Sequence, residues 1–352
     1  MTGVQTCALP ISDRSLFGYK NLYLYGALFD IAGVLIGYIA PVDVFAVRHL
    51  LCAMTGLGGI VATWAVARLI AGPRAALLAA MTLAVCGAWY GPMFNHTKDI
   101  PFAAAMIGAT YFLLRACRDL PRPRLTDVLL LGLLMGAALG QRALGLLLIG
   151  YVAIAIVLHT PGPFAPAEAT RFFCRSLLRF TAAFVLAYVI MIAAWPWSAL
   201  ELFNPIRAIF DFTHFKYPIK TLLFGDTYKM AEVPRAYVPV YLAIKLPLIL
   251  LLGAAIALLA AVRMRWIQAG RGTAFVAFTA LFPVLMHVAG HGPAFSGMRH
   301  FTFVVPPLAA LAGLGFARAL ALLESKSRAI RSEDHTSELQ SRGLISYAVF
   351  CL

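Results

Sequence analysis

Apolar runs long enough to cross a bilayer recur through almost the whole chain, and this repetition constrains the fold before anything else does. A helix needs ~20 residues to cross the hydrocarbon core. Such runs fall near 48–70, 74–92, 100–116, 126–140, 143–159, 177–196, 237–262, 273–290 and 301–323. In lipid, backbone N–H and C=O groups must be paired internally, so runs of this kind are helices. The expectation is an all-α integral membrane protein with about nine transmembrane helices. Composition agrees: 61% of residues are hydrophobic and 12% charged, against ~45–50% and ~25% in soluble domains. A soluble globular enzyme is excluded.

The two ends read differently from the middle. Thr2–Ile11 (TGVQTCALPI) can be encoded by an oligonucleotide whose opposite strand, in frame, gives SEEHTSELQ, and Ser332–Gln340 reads SEDHTSELQ. Termini related as complementary strands are expected to be translated sequencing adapter, and segments of that kind are set aside before fold reasoning. Residues 1–12 and 331–352 are treated this way. Residues 13–330 are taken as one multi-span membrane domain with a long outer loop at 197–236. The six cysteines show no CxxC spacing, and neither a metal site nor a disulfide framework is indicated.

Charge assigns the sides. The chain carries 29 Lys and Arg against 15 Asp and Glu, a net charge of +14. Arg115, Arg118, Arg122 and Arg124 share one connection, Arg171, Arg175 and Arg179 another, and Arg263, Arg265 and Arg271 a third. Arg68 and Arg74 flank a tight turn, and Arg318, Lys326 and Arg328 follow the last run. Alternation through the spans puts all of these on one side, which the positive-inside rule makes cytoplasmic. The other side carries Asn95–Asp99, Gln141 and Arg142, the long loop and Gly290–His300. In that loop Asp211, Asp226 and Glu232 are interleaved with Phe210, Phe212, Phe215, Tyr217 and Tyr228, too aromatic for disorder. Leu22–Ala40 breaks the parity if it spans. It is expected to be an interfacial helix in which Asp30 reaches water.

The sharpest local signal is FNHTKDIPF, Phe94–Phe102. It reads as a helix start, with Asp99 placed to cap and Pro101 near the first turn. Capping alone would account for Asp99, and snorkelling alone for Arg48. Five cations, however, reach one membrane face from different segments: Lys20, Arg48, Lys98, Arg142 and Arg299, the last followed by His300. Guanidinium forks and an ammonium suit a phosphate. No GxxxxGK[ST], HExxH or GxSxG pattern is present.

The segments Tyr19–Asp30 (YKNLYLYGALFD), Val47–Gly59, Phe94–Ala103, Gly225–Pro247 and Gly297–Ala309, in this order between spans, resemble membrane glycosyltransferases of the GT-C superfamily. The likeness is to the family 39 group, with its protein O-mannosyltransferases and lipid A aminoarabinose transferases. It implies transfer of a sugar from a polyprenyl-phosphate donor to a lipid, glycan or protein acceptor on the outer face, with membrane lipids as further partners and no nucleic acid. It implies a bacterial inner (plasma) membrane location with the site facing the periplasm. Lys20 matches the lysine near the donor phosphate, Arg48 an arginine heading the next span, and Asp99 an acid of the second outer loop. Arg299, with Lys20 and Arg48, is a candidate phosphate contact. Asp99 would orient Lys20 or help hold a divalent ion, and no other cofactor is implied. The family's catalytic acid lies upstream of the Lys20 position, where adapter sequence stands here. No catalytic residue is assigned, and the chain as written is expected to be inactive. The alternatives are a multi-span transporter or flippase, or a non-catalytic lipid-phosphate-binding protein.

Overall fold

The computed structural model describes residues 22–39, 43–162, 165–201, 203–213, 219–263 and 270–325. Lys20, Phe215, Tyr217, the side chain of Phe212 and both terminal segments lie outside the described residues. The main helices are α1 (Leu28–Ile39), α2 (Val44–Ala71), α3 (Pro73–Ala84), α4 (Asp99–Arg118), α5 (Leu125–Leu139) and α6 (Leu147–His159). They continue as α7 (Pro166–Arg179), α8 (Thr181–Ala194), α9 (Asn204–Thr213), α10 (Tyr237–Lys245), α11 (Leu248–Arg263), α12 (Arg271–Gly290) and α13 (Arg299–Ser325). One antiparallel hairpin, β1 (Lys220–Leu223) and β2 (Asp226–Lys229), interrupts them.

The protein is thus an all-α membrane protein with a small hairpin. Among the described residues, α2, α4, α12 and α13 are long and apolar enough to cross a membrane, and three bent helix pairs raise the number to as many as seven. The expected straight span over 237–262 is corrected: α10 and α11 meet at 115°. The cause is Pro247, which cannot donate an N–H and forces the preceding residue out of the helical region. Leu246 is accordingly extended, with φ −85° and ψ 140°. The runs at 126–140 and 143–159 form shorter apolar helices.

α4 is the central element, with 78% of its apolar window buried. Its 20 residues reach ~30 Å, so Asp99 and Arg118 stand at opposite ends. At the Arg118 end, ion pairs and carbonyl contacts tie the connections together. Arg118 donates to the Leu69 carbonyl at 2.5 Å, Arg115 pairs with Asp127 at 3.1 Å, and Arg271 donates to the His159 carbonyl at 3.0 Å. α5 packs on α8 through small residues. A Cβ on Gly132 would lie 2.7 Å from the Ala183 Cα, and one on Gly136 would lie 3.0 Å from the Ala187 Cα. Close backbone approach of this kind is how helices associate in lipid, where burial of apolar surface gives no driving force. It also brings Gly140, one turn further on, against Ala194.

α1 has 12 residues, ~18 Å, too short to cross the ~30 Å core. Its apolar outer face is open, with Tyr38 and Ile39 more than 80% exposed. Asp30 does not reach water as expected. It is 8% exposed and accepts from Arg48 at 2.5 Å, because the side of α1 that carries it lies on α2. Within the described part of the long loop, α9 sets Ala208 into the interior, and the hairpin is held by Tyr241, whose hydroxyl donates to the Leu222 carbonyl at 2.7 Å.

Candidate functional site

The site forms at the Asp99 end of the bundle, where segments distant in sequence are joined through backbone. Tyr25–Leu28 runs as an extended strip alongside Gly140–Arg142. The Gly26 N–H donates to the Gln141 carbonyl at 3.3 Å, the Leu28 N–H to the Gly140 carbonyl at 3.1 Å, and the Ala27 N–H to the Ala194 carbonyl at 2.9 Å. The approach demands glycine at 26, since a Cβ there would fall 2.1 Å from the Gly140 carbonyl oxygen. The indole of Trp195 donates to the Tyr23 carbonyl at 2.6 Å and fixes the strip from the other side.

Asp99 does not cap α4, as its position suggested. It is the first residue of the helix, and no side-chain cap bond is made. Its carboxylate, 2% exposed, is clasped by two arginines: Arg142 donates Nη2 to one oxygen, and Arg299 donates Nε to the other at 2.6 Å. The guanidinium of Arg142 also donates Nη1 to His300 Nδ1 at 3.0 Å. Arginine has no acceptor, so that nitrogen of His300 is the acceptor of a neutral imidazole. His96 lies 3.7 Å from Asp99. Burial pulls its pKa down, the Arg299 charge pulls the same way, and Asp99 opposes them. Arg142 is 6% exposed, and its Nε finds no partner among the described residues.

Lys98 completes the cluster. Its ammonium stands 4.7 Å over the Tyr25 ring, and Arg142 lies 5.9 Å from the same ring. Lys98 makes no carboxylate ion pair among the described residues. Burial drives its pKa down from the ordinary 10.5, the Asp30 charge pushes it back up, and Arg142 and Arg48 lower it again. Arg48, Lys98, Asp99, Arg142, Arg299 and His300 are therefore brought together as the sequence suggested, while Lys20 lies outside the described residues. Sequence reasoning missed the part played by Tyr25 and the role of Asp30 as the partner of Arg48.

Below the cluster opens a cavity of about 860 Å³, with Tyr25, Arg142 and His300 at its polar end. Leu147, Tyr151 and Ile154 of α6 and Phe278, Phe282 and Met286 of α12 are among the apolar side chains of its body. Ala208 and Ile209 of α9 close one side, so the long loop roofs the space. A charged mouth over an apolar slot accepts an amphiphile whose head is anionic.

The expected divalent ion at Asp99 does not fit. Both carboxylate oxygens face guanidinium groups, and Asp30 is bound to Arg48. Among the described residues no group of three or more His, Cys, Asp or Glu side chains could hold a metal ion.

A family model described as dolichyl-phosphate-mannose-protein mannosyltransferase matches residues 35–197. No curated protein matches the chain by sequence. Among solved structures, the apo state of ArnT from Cupriavidus metallidurans superposes with a TM-score of 0.60 at 20% identity, over 84% of this chain and 50% of that one. The same protein bound to undecaprenyl phosphate gives 0.58 at 17% identity, with the same coverage. The oligosaccharyltransferase AglB from Archaeoglobus fulgidus, in complex with an inhibitory peptide and a dolichol-phosphate, gives 0.54 at 15% identity over 87% of this chain and 44% of that one. The chain spans about half the length of these proteins. It has the fold of the GT-C membrane glycosyltransferases.

Proposed function

We propose that this chain, with its GT-C fold, belongs to a membrane glycosyltransferase that takes a sugar from a polyprenyl-phosphate donor and passes it to an acceptor on the extracytoplasmic face. The observation that carries this reading is the cation cluster at one end of an apolar cavity, with the buried Arg142 belonging to both. A polyprenyl phosphate has the matching anatomy, a phosphate on an isoprenoid chain. ArnT bound to undecaprenyl phosphate and AglB with a dolichol-phosphate share the fold, which supports the same class of ligand here. A transporter site would be sought at the bilayer midplane between repeats. This cluster lies instead at the end of α4.

In the transfer, the bond between the sugar's anomeric carbon and the phosphate oxygen breaks, and its electron pair leaves with the lipid phosphate. The acceptor oxygen bonds to the anomeric carbon and gives its proton to a carboxylate. Arg142, Arg299 and Lys98 would oppose the charge that grows on the phosphate, as preorganised groups in a dry site do most effectively. Asp30 and Asp99 have arginines on them and are poorly placed as the base. By the family resemblance, Lys20 is assigned to the phosphate.

The test is binding of undecaprenyl phosphate to the purified protein, read by native mass spectrometry and by thermal shift. Saturable binding that is lost in Arg142→Gln is expected. Equal binding of undecaprenol, which lacks the phosphate, would overturn the reading.

A further inference from the structure

Resting on that reading, we infer that the site is charge-matched to the leaving lipid monophosphate and binds this dianion more tightly than the sugar-bearing donor. Lys98 and Arg142 share the Tyr25 ring, Arg142 and Arg299 share Asp99, and Arg48 pairs with Asp30; among the described residues the carboxylates paired with these cations are those of Asp30 and Asp99. Asp30 offsets Arg48, and Asp99 is shared by two guanidinium groups. Among the described residues, four cations against two carboxylates leave an excess of two positive charges.

Two observations show that this excess faces a ligand. Among the described residues, Lys98 has an aromatic ring and no carboxylate at ion-pair distance. Arg142, 94% buried, lines the cavity with an Nε that nothing among the described residues satisfies. A buried donor left unsatisfied and a cation left without a counter-charge are both costly, so an anion at this end of the cavity would complete the cluster. His300 adds no charge, because its Nδ1 accepts from Arg142.

The two lipid species differ in charge. The sugar-linked donor is a phosphodiester with one negative charge. When the glycosidic bond breaks and its electron pair stays on the phosphate oxygen, the lipid becomes a phosphomonoester, with a charge of about −1.5 to −2 at neutral pH. A site with an excess of two cations favours the second species, and it favours the transition state that leads to it. The same preference holds the product after transfer.

The experiment separates charge from sugar and from chain. Purified protein is titrated at about pH 8, where the monoester is essentially a dianion. The ligands are decaprenyl phosphate, its methyl phosphodiester and decaprenol, competed against a fluorescent polyprenyl phosphate. The monoester is expected to bind at least tenfold more tightly than the methyl diester. Lys98→Gln lowers that ratio at least threefold, and Lys98→Arg restores it. Equal affinities for monoester and diester overturn the inference and leave the proposed function standing. Binding of both no tighter than decaprenol overturns the two together. A ratio unchanged in Lys98→Gln removes Lys98 from the charge match, and the wild-type ratio alone decides the rest if that variant does not fold.

Discussion

Asp99 and Arg142, 43 residues apart in sequence, form a buried ion pair that locks the start of α4 to the connection between α5 and α6. Arg299 takes the other carboxylate oxygen from 200 residues away. One acid therefore holds two cations in place, and both the stability of this end of the bundle and its affinity for anions depend on it.

Asp99→Asn is expected to destabilise the protein by about 3–5 kcal/mol, the usual effect of leaving a buried charge without its partner. Most of this comes from Arg142, because Arg299 is 45% exposed in its side chain and recovers solvation. Thermal unfolding in detergent measures it, and a loss below about 1 kcal/mol would mean that the pair is not buried as described.

Gly26→Ala tests the strip that holds Tyr25 beside Arg142. The added methyl would meet the Gly140 carbonyl oxygen at 2.1 Å, so Tyr25–Leu28 must lift away. Helical circular dichroism is expected to stay within a few per cent of wild type, while undecaprenyl phosphate binding falls at least tenfold. Unchanged binding would show that the strip does not support the site.

Gly150→Leu probes the apolar body of the cavity. Gly150 lines it, and a Cβ there meets nothing within 4 Å, so the new side chain fills the slot without displacing backbone. Long polyprenyl phosphates are expected to bind at least tenfold more weakly, and the melting temperature is expected to hold. Loss of affinity for geranyl phosphate to the same degree would argue against a chain-binding slot.

His96 sets a pH dependence. Burial, with the Arg299 charge beside it, lowers its pKa from the ordinary 6.5, so the folded state binds its proton less readily than the unfolded state does. The stability from this group is present above pH 6.5 and is lost as pH falls from there through the depressed folded value. His96→Gln is expected to flatten part of the decline below about pH 6.5 in a melting series. A profile identical to wild type would remove His96 from it.

Much of the architecture was legible, because lipid forces backbone to pair within each apolar run and so ties helix position to hydropathy. The bend between α10 and α11 was legible in principle from Leu246–Pro247, and so was the α5–α8 contact from Gly132, Gly136 and Gly140. The convergence of Arg48, Lys98, Arg142 and Arg299 followed from alternation of the spans. The partner of Asp99 did not. An acid just before an apolar helix has the same local pattern whether it caps the helix or holds a distant arginine, and only the tertiary arrangement of Arg142 and Arg299 decides between them. The same holds for Asp30, whose hydration depended on which side of α1 turned toward Arg48.

The backbone strip that joins Tyr25–Leu28 to Gly140–Arg142 leads directly into α1, a short helix with its greasy side uncovered. A rigid tilt of α1 would therefore strain the hydrogen bonds from Gly26 and Leu28 that hold the backbone of Gly140 and Gln141, next to Arg142.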